Sequence, residues 1–228
     1  MNIDIITIFP EVVKNFFSFS IMQRAQNFGK VNINVHNLRD YSLNKHHKTD
    51  DYAYGGGAGL VMTVEPIERC ITALKNNRDY DDIIYMCPDG EVLTQSIVNE
   101  FSLKENLVIL CGHYKGVDER VREHLVSREL SIGEYVVSGG ELPACLFVDA
   151  ITRLIPGVLN DASSALEDSF QNDSLIAPPV YTRPEKYKNW IVPSILLSGD
   201  KKKIDEWNLN QAIIRTNNFN KLNKKKIN

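Results

Sequence analysis

Ser131-Ile-Gly-Glu-Tyr-Val-Val-Ser-Gly-Gly-Glu-Leu-Pro143 is the stretch on which the fold turns, with Cys111-Gly-His-Tyr-Lys-Gly116 just upstream. Both are glycine-rich turns attached to short, β-branched apolar runs. A glycine in such a turn adopts positive φ without steric cost and lacks the Cβ that keeps a ligand off the backbone amides. Two such loops in one chain imply a ligand held largely by main-chain groups.

Working outward, the apolar runs at 3–9, 31–35, 83–86, 107–111 and 135–137 read as strands. The patterns at 10–28, 64–75, 95–100 and 141–154 read as helices. Such alternation predicts an α/β domain with a mainly parallel sheet and helices on both faces. Ligands bind beyond the carboxyl ends of such strands. Met86-Cys-Pro-Asp-Gly90, residues 111–116 and residues 131–140 all follow strand ends and are expected to converge there.

The alternation stops after Pro156-Gly157. Residues 160–173 are polar and acidic with no sustained period, the composition of a mobile linker. Pro178, Pro179, Pro184 and Pro193 then break the chain into short pieces. Gly199-Asp200 precedes a helical pattern with Ile204, Trp207, Ile213 and Ile214 as apolar-face positions. The expected organisation is a main domain at 1–159, a linker at 160–173 and a small helical domain at 174–228. The last is too short to build a large core, so it should dock or swap onto a partner.

The 228 residues are 43% apolar and 24% charged, ordinary for a globular protein. No apolar run approaches the roughly 20 residues of a membrane helix. Met1-Asn-Ile-Asp-Ile5 has no basic lead-in and reads as a first strand rather than a signal peptide, so a cytoplasmic location is expected. Cys70, Cys87, Cys111 and Cys145 are widely spaced in or beside apolar runs, which favours buried thiols over a zinc site or a disulfide framework. His46-His47 has no partner at ligand spacing, and no metal site follows. The net charge of −3 is uneven: residues 1–160 carry 15 basic and 21 acidic side chains, residues 161–228 carry 11 and 8. A positive tail on a negative body places a polyanion against the tail, although Lys201-Lys-Lys203 and Lys224-Lys-Lys226 also read as plain solvated surface.

Asp50-Asp-Tyr-Ala-Tyr-Gly-Gly-Gly-Ala-Gly59 lacks the order of a phosphate loop or a dinucleotide fingerprint. A loop lying against an RNA backbone is favoured over a plain flexible loop. Asp168, in Leu166-Glu-Asp-Ser-Phe170, reads either as a solvated linker acid or as a general base. Arg153 reads either as a helix C-terminal cation or as a charge stabiliser. Spacing alone does not choose.

Tyr54-Gly-Gly-Gly-Ala-Gly59, Cys111-Gly-His-Tyr-Lys-Gly-Val-Asp-Glu-Arg120, residues 131–143, Arg153-Leu-Ile-Pro-Gly-Val158, Glu167-Asp-Ser-Phe170 and Tyr181-Thr-Arg-Pro184 occur in this order. Together they resemble the bacterial tRNA (guanine-N1)-methyltransferases of the SPOUT class. The resemblance runs from the first strand to about Trp207. It implies a trefoil-knotted fold, a homodimer with shared active sites, and S-adenosyl-L-methionine as methyl donor. The implied substrate is the guanosine immediately 3′ of the anticodon, in the anticodon stem-loop of tRNA, with no membrane partner.

The donor-binding positions implied are Tyr85, Met86, Cys87, Pro88, Gly112, Tyr114, Ile132, Gly133, Glu134, Tyr135, Val136, Val137, Gly139 and Gly140. Asp168 matches the proposed base and Arg153 its partner. The RNA-facing positions are Asp50, Tyr54, Gly55, Gly56, Gly57, Arg183, Lys201, Lys202 and Lys203. The chain also departs from the family. Lys115 stands where many relatives carry a glutamate proposed to help hold magnesium, and a cation there argues against a metal. Ala53 and Ala58 replace residues often arginine or proline, and Asp205-Glu-Trp-Asn208 is acidic where relatives are often arginine-rich.

Overall fold

Strand β1 (Asn2–Thr7) lies second from one edge of a five-stranded sheet ordered β2-β1-β6-β5-β7, every pairing parallel. The other strands are β2 (Asn32–Asn37), β5 (Asp82–Val92), β6 (Asn106–Cys111) and β7 (Arg128–Ser131). This computed structural model describes residues 1–159, 168–171 and 175–224. The chain divides into two compact units, Met1–Asn160 and Asp161–Asn228.

Alternation along the strands sorts the core into two layers, as a period of two requires. Ile3, Ile5, Ile84, Met86, Leu107, Ile109 and Cys111 face one cluster, with helices α1 (Pro10–Phe17), α2 (Ser20–Asn27), α4 (Gln95–Ser102) and α6 (Glu141–Thr152). Ile6, Ile83, Tyr85, Cys87, Val108 and Leu110 face the other, with α3 (Val64–Lys75) and α5 (Glu119–His124). Helices therefore cover both faces, as the sequence pattern implied.

Four local readings need correction. The helix expected at 10–28 is two helices, because Ser18 Oγ donates to the Asn15 carbonyl at 2.7 Å and competes with the helix ladder. The strand expected at 135–137 is not formed; the chain pairs one step earlier, as β7, and Val136 is 82% exposed, so its β-branched side chain buries nothing. β5 does not end at Met86. It continues to Val92 past a register shift, with Met86 and Glu91 both opposite Leu130, and 87–90 is a bulge within a strand. Finally, 50–62 is no plain loop: β3 (Asp50–Tyr52) and β4 (Leu60–Met62) pair antiparallel around the glycines.

In the second unit a hairpin, β8 (Lys186–Tyr187) with β9 (Trp190–Ile191), precedes α7 (Lys201–Lys224). Asp200 Oδ1 accepts from the Lys203 amide at 3.3 Å, capping that helix. Ile213 and Ile214, read as core-facing, are about half exposed. Most of the expected linker, 160–167 and 172–174, lies outside the described residues. Residues 168–171 form a turn: Ser169 Oγ accepts from the Ala177 amide at 3.0 Å, and the Phe170 ring meets that of Phe219 on α7 edge-on at 5.5 Å.

Asp4, in the middle of β1 and 3% exposed, is a buried charge fully enclosed by donors. His36 Nε2, Asn34 Nδ2 and the Tyr80 hydroxyl lie 2.7, 3.1 and 2.9 Å from its carboxylate. Burial alone would raise its pKa, but the combined interactions with His36, Tyr80 and Asn34 outweigh it and hold the carboxyl below its ordinary value. A depressed folded-state value stabilises the fold above the unfolded carboxyl's pKa, and that contribution fades as pH falls through the folded value. Asp4→Asn should therefore cost about 1–3 kcal/mol at pH 7. In thermal melts followed by circular dichroism the gap to the native protein should narrow below about pH 4; a constant gap would refute the charge-based account.

Candidate active site

At the carboxyl edge of the sheet, the β5 bulge, the turn after β6 and the loop after β7 enclose a cavity of about 420 Å³. This is within the ordinary range for a small-molecule site. Tyr85, Met86, Cys87, Pro88, Gly112, Tyr114, Ile132, Tyr135, Val136, Val137, Gly139 and Gly140 all line it. Gly133 and Glu134 do not. Gly133 turns its backbone toward Ser131 Oγ, and Glu134 is exposed.

The loops meet because two residues carry no side chain. A Cβ on Gly140 would stand 2.8 Å from both Cys111 Cα and the Gly112 nitrogen, and the Gly140 amide donates to the Gly112 carbonyl at 2.7 Å. A Cβ on Gly112 would stand 2.7 Å from the Tyr85 ring. Contact with the neighbouring loop, rather than with a ligand, is thus what first demands glycine at 140. Within the same turn Tyr114 holds φ at +59°, a conformation uncommon outside glycine and concentrated at functional sites.

Beneath the floor, Glu141 opens α6 with only 6% exposure. It accepts from Thr7 Oγ1 at 2.8 Å, and its other oxygen lies 3.8 Å from His113 Nδ1. His113 also packs edge-on against Phe9 and Tyr114, both at 5.0 Å. On the outer wall Arg122 grips Glu129 through two nitrogens, at 2.8 and 2.5 Å, and Asp89 at 2.8 Å, with its guanidinium 5.8 Å from the Tyr85 ring centroid. The Arg122 hydrogen bond is the main reason the Asp89 carboxyl sits below its ordinary value. Sequence reading missed Thr7, Asp89, Arg122, Glu129 and Glu141. Only Glu141, closing the Gly-Gly-Glu run, carried a local signal. The others are joined by topology across large sequence gaps.

The remaining candidates fall elsewhere. Asp50 opens β3, and Tyr54, Gly55, Gly56 and Gly57 form the exposed tip of the β3–β4 hairpin, with nothing within 4 Å of where a Cβ on any of the three glycines would stand. That hairpin is tied to the pocket, since the Lys115 amide donates to the Leu60 carbonyl and the Met62 amide to the Gly116 carbonyl, both at 3.0 Å. Arg153 caps the end of α6 in the first unit. Asp168 is half-buried in the second, and neither is without an interacting neighbour. Glu167 lies outside the described residues. Arg183 is exposed before Pro184, Lys201 and Lys202 are exposed at the start of α7, and Lys203 pairs with Asp200 at 3.0 Å. Among the described residues no group of three His, Cys, Asp or Glu side chains converges as a metal site. No helix among them is long and apolar enough to cross a membrane.

A main-chain-walled cavity at the carboxyl edge of a parallel sheet is the arrangement of an α/β enzyme that holds a small co-substrate. Comparison gives the family. A family model described as tRNA (Guanine-1)-methyltransferase TrmD matches residues 1–224, and the chain belongs to that family. It is similar to the tRNA (guanine-N(1)-)-methyltransferase of Bacteroides thetaiotaomicron, 59% identical over 216 residues that make up 95% of this chain and 96% of that one. The corresponding protein of Porphyromonas gingivalis is 58% identical over 216 residues, again 95% and 96% of the two chains. In three dimensions the chain is similar to the crystal structure of tRNA (m1G37) methyltransferase from Aquifex aeolicus, with a TM-score of 0.78, 36% identity, and coverage of 95% of this chain and 91% of that one. The fold class is accordingly SPOUT.

Two predictions follow from the pocket's construction. Gly140→Val should drive the 111–112 and 139–140 backbones apart and weaken S-adenosyl-L-methionine binding at least tenfold by titration calorimetry, the direction expected of overpacking; unchanged affinity would show that the close approach is dispensable. The thiols of Cys70, Cys87 and Cys145 are pushed up to about 12, chiefly by burial, and burial likewise raises that of Cys111 well above the ordinary thiol value. Thiolate, the reactive form, is thereby scarce. The native protein should leave Ellman's reagent unreacted for minutes at pH 8, with all four thiols titrating after denaturation, and rapid reaction of one native thiol would contradict this.

Proposed function

We propose that the protein transfers a methyl group from S-adenosyl-L-methionine to N1 of the guanosine immediately 3′ of the anticodon in tRNA, with Asp168 as general base and Arg153 as charge stabiliser. The observation that carries the reading is the convergence of 85–88, 112–116 and 132–140 on one main-chain-walled cavity, in a chain so close to tRNA guanine-N1 methyltransferases. The position next to the anticodon rests on the similar Aquifex structure, described as an m1G37 enzyme.

The donor fits the pocket by size and by chemistry. Gly112, Gly139 and Gly140 line it without side chains, which lets the donor approach the main chain, and Tyr85, Ile132, Tyr135, Val136 and Val137 offer apolar surface. Tyr114 and Pro88 shape the rim, and Met86 and Cys87 form the inner wall. Bound there, S-adenosyl-L-methionine supplies a methyl on a sulfonium with a good leaving group. The Cys87 thiol, kept protonated by burial, does not compete for that methyl. Lys115 lines the cavity, and its cation disfavours magnesium there.

Guanine N1 carries a proton at neutral pH, and its lone pair is committed to the ring. The proton must leave before N1 attacks, so a positioned carboxylate is required, worth about 10²–10⁴ in rate. Negative charge then grows toward O6, where the Arg153 guanidinium serves. Asp168 sits on a turn whose Phe170 packs against Phe219 of α7, in the unit we assign to tRNA binding. RNA captured by that unit, through Arg183, Lys201 and Lys202, then governs where the base stands, so catalysis waits on the right substrate. The hairpin tip at Asp50 and Tyr54 to Gly57 contacts RNA from the first unit. The division of labour is thus donor binding at 1–159, a connector at 160–173 bearing the base, and tRNA binding at 174–228.

We further read the chain as a knotted homodimer with shared sites. Support for the dimer comes from exposed Val12 and Phe16 on α1 and Leu142 and Leu146 on α6, two helices in contact with each other. Exposed apolar side chains on adjacent helices are the mark of an interface.

The test is direct. Purified protein incubated with a tRNA transcript and isotope-labelled donor should yield 1-methylguanosine at the position 3′ of the anticodon by nucleoside mass spectrometry; a 2′-O-methyl product would overturn the reading. Asp168→Ala should bind the donor normally and lose at least about 10²-fold in turnover. Near-normal turnover would remove Asp168 from the base role.

A further inference from the structure

The β8–β9 hairpin of the second unit has no part in the chemistry above, yet it is built unlike a structural element. Tyr187 and Trp190 face each other across the two strands, their rings 5.6 Å apart and tilted by 49°. Trp190 is 70% exposed and Tyr187 53%. A large ring left in water forgoes the burial that normally justifies it. The turn between them contains Lys188, whose ammonium stands 5.5 Å from the Tyr187 ring centroid. Lys186 and Arg183 are exposed on the same short segment, against the single acid Glu185. Among the described residues none of these three cations has an ion-pair partner. The unit that carries them has 11 basic and 8 acidic residues, opposite in sign to the first.

Flat aromatic faces interleaved with unpaired cations form a platform on which a nucleobase stacks while its phosphates are neutralised. We infer that the Lys186-Tyr187-Lys188-Asn189-Trp190 hairpin stacks an unpaired nucleotide of the tRNA substrate, with Lys186 and Lys188 on the flanking phosphates. The exposed apolar side chains of α1 and α6 lie in the other unit and carry no such cations, so they suit a protein partner where this hairpin suits RNA. An unpaired base is the committed occupant because a duplex hides its ring faces in the stack. The inference rests on the proposal that tRNA is the substrate and adds the contact that reads single-stranded character.

Binding by the full-length protein at fixed salt distinguishes the outcomes, with two RNA probes of equal length: an anticodon stem-loop and a blunt duplex. Trp190→Ala should weaken stem-loop binding about tenfold, the size expected of one lost base–aromatic stack, and leave duplex binding within twofold. Trp190→Phe should retain stem-loop affinity within about threefold. In turnover assays Trp190→Ala should raise KM for tRNA with little change in kcat. Replacing Lys186 and Lys188 by Gln should flatten the salt dependence by about 1.4 units of slope, about 0.7 for each lost phosphate contact to a single strand. Undiminished stem-loop binding by Trp190→Ala, equal loss on both probes, or a change in oligomeric state on sedimentation would each overturn the inference. Native protein that neither binds nor methylates tRNA would instead defeat the functional proposal itself.

Discussion

The approach of Gly140 to the backbone of Cys111 and Gly112 is the constraint from which the site follows. At 2.8 Å there is no room for a methyl group. Because the two loops touch through main chain alone, each presents its remaining amides and carbonyls toward the same volume. α6 starts at the point of contact, so the position of the helix, and of Arg153 at its far end, is set by that same approach. The pocket is therefore a consequence of how two strand-end loops pack. It needs no converging array of charged side chains.

Charge is nevertheless managed closely around it. Glu141 is buried at the start of α6, where a helix N-terminus favours an anion, and Thr7 supplies its hydrogen bond from β1. Arg122 is saturated by Glu129 and Asp89 on the outer wall and so is fixed over Tyr85. Truncating either carboxylate would release the guanidinium and loosen the aromatic wall. The buried Cys87 thiol on the cavity wall stays protonated and does not compete for an activated methyl. A pocket firm in its walls suits a co-substrate whose reactive group is already activated, and positioning is then the main work left to the protein.

Much of the fold was legible in the sequence because burial on both faces leaves a simple pattern. Leu107 through Cys111 form a continuous apolar run, and Ile3, Ile5 and Ile6 flank the single acid Asp4, the pattern of parallel strands covered on both faces. Reading failed where local preference and tertiary context part company. Tyr135-Val-Val137 has strand-forming residues but no sheet edge to join. Ser18 breaks a helix through one hydrogen bond that hydrophobic spacing does not register. The six residues of α5 are too few to display a period. At the site, the glycine loops were visible because their composition is unusual. Asp89, Arg122 and Glu129 were not, since nothing ties them together until β5, α5 and β7 are folded. At Gly140 the structure adds an obstacle that the sequence did not show: a side chain there meets the adjacent loop.

Amide hydrogen exchange tests most directly the claim that backbone groups of three strand-end loops hold the methyl donor. With S-adenosyl-L-methionine alone, peptides spanning 85–90, 111–116 and 131–140 should slow together while the β8–β9 hairpin keeps its free-state rate. Exchange unchanged in those three loops at saturating donor, or protection confined to some other part of the chain, would contradict the account.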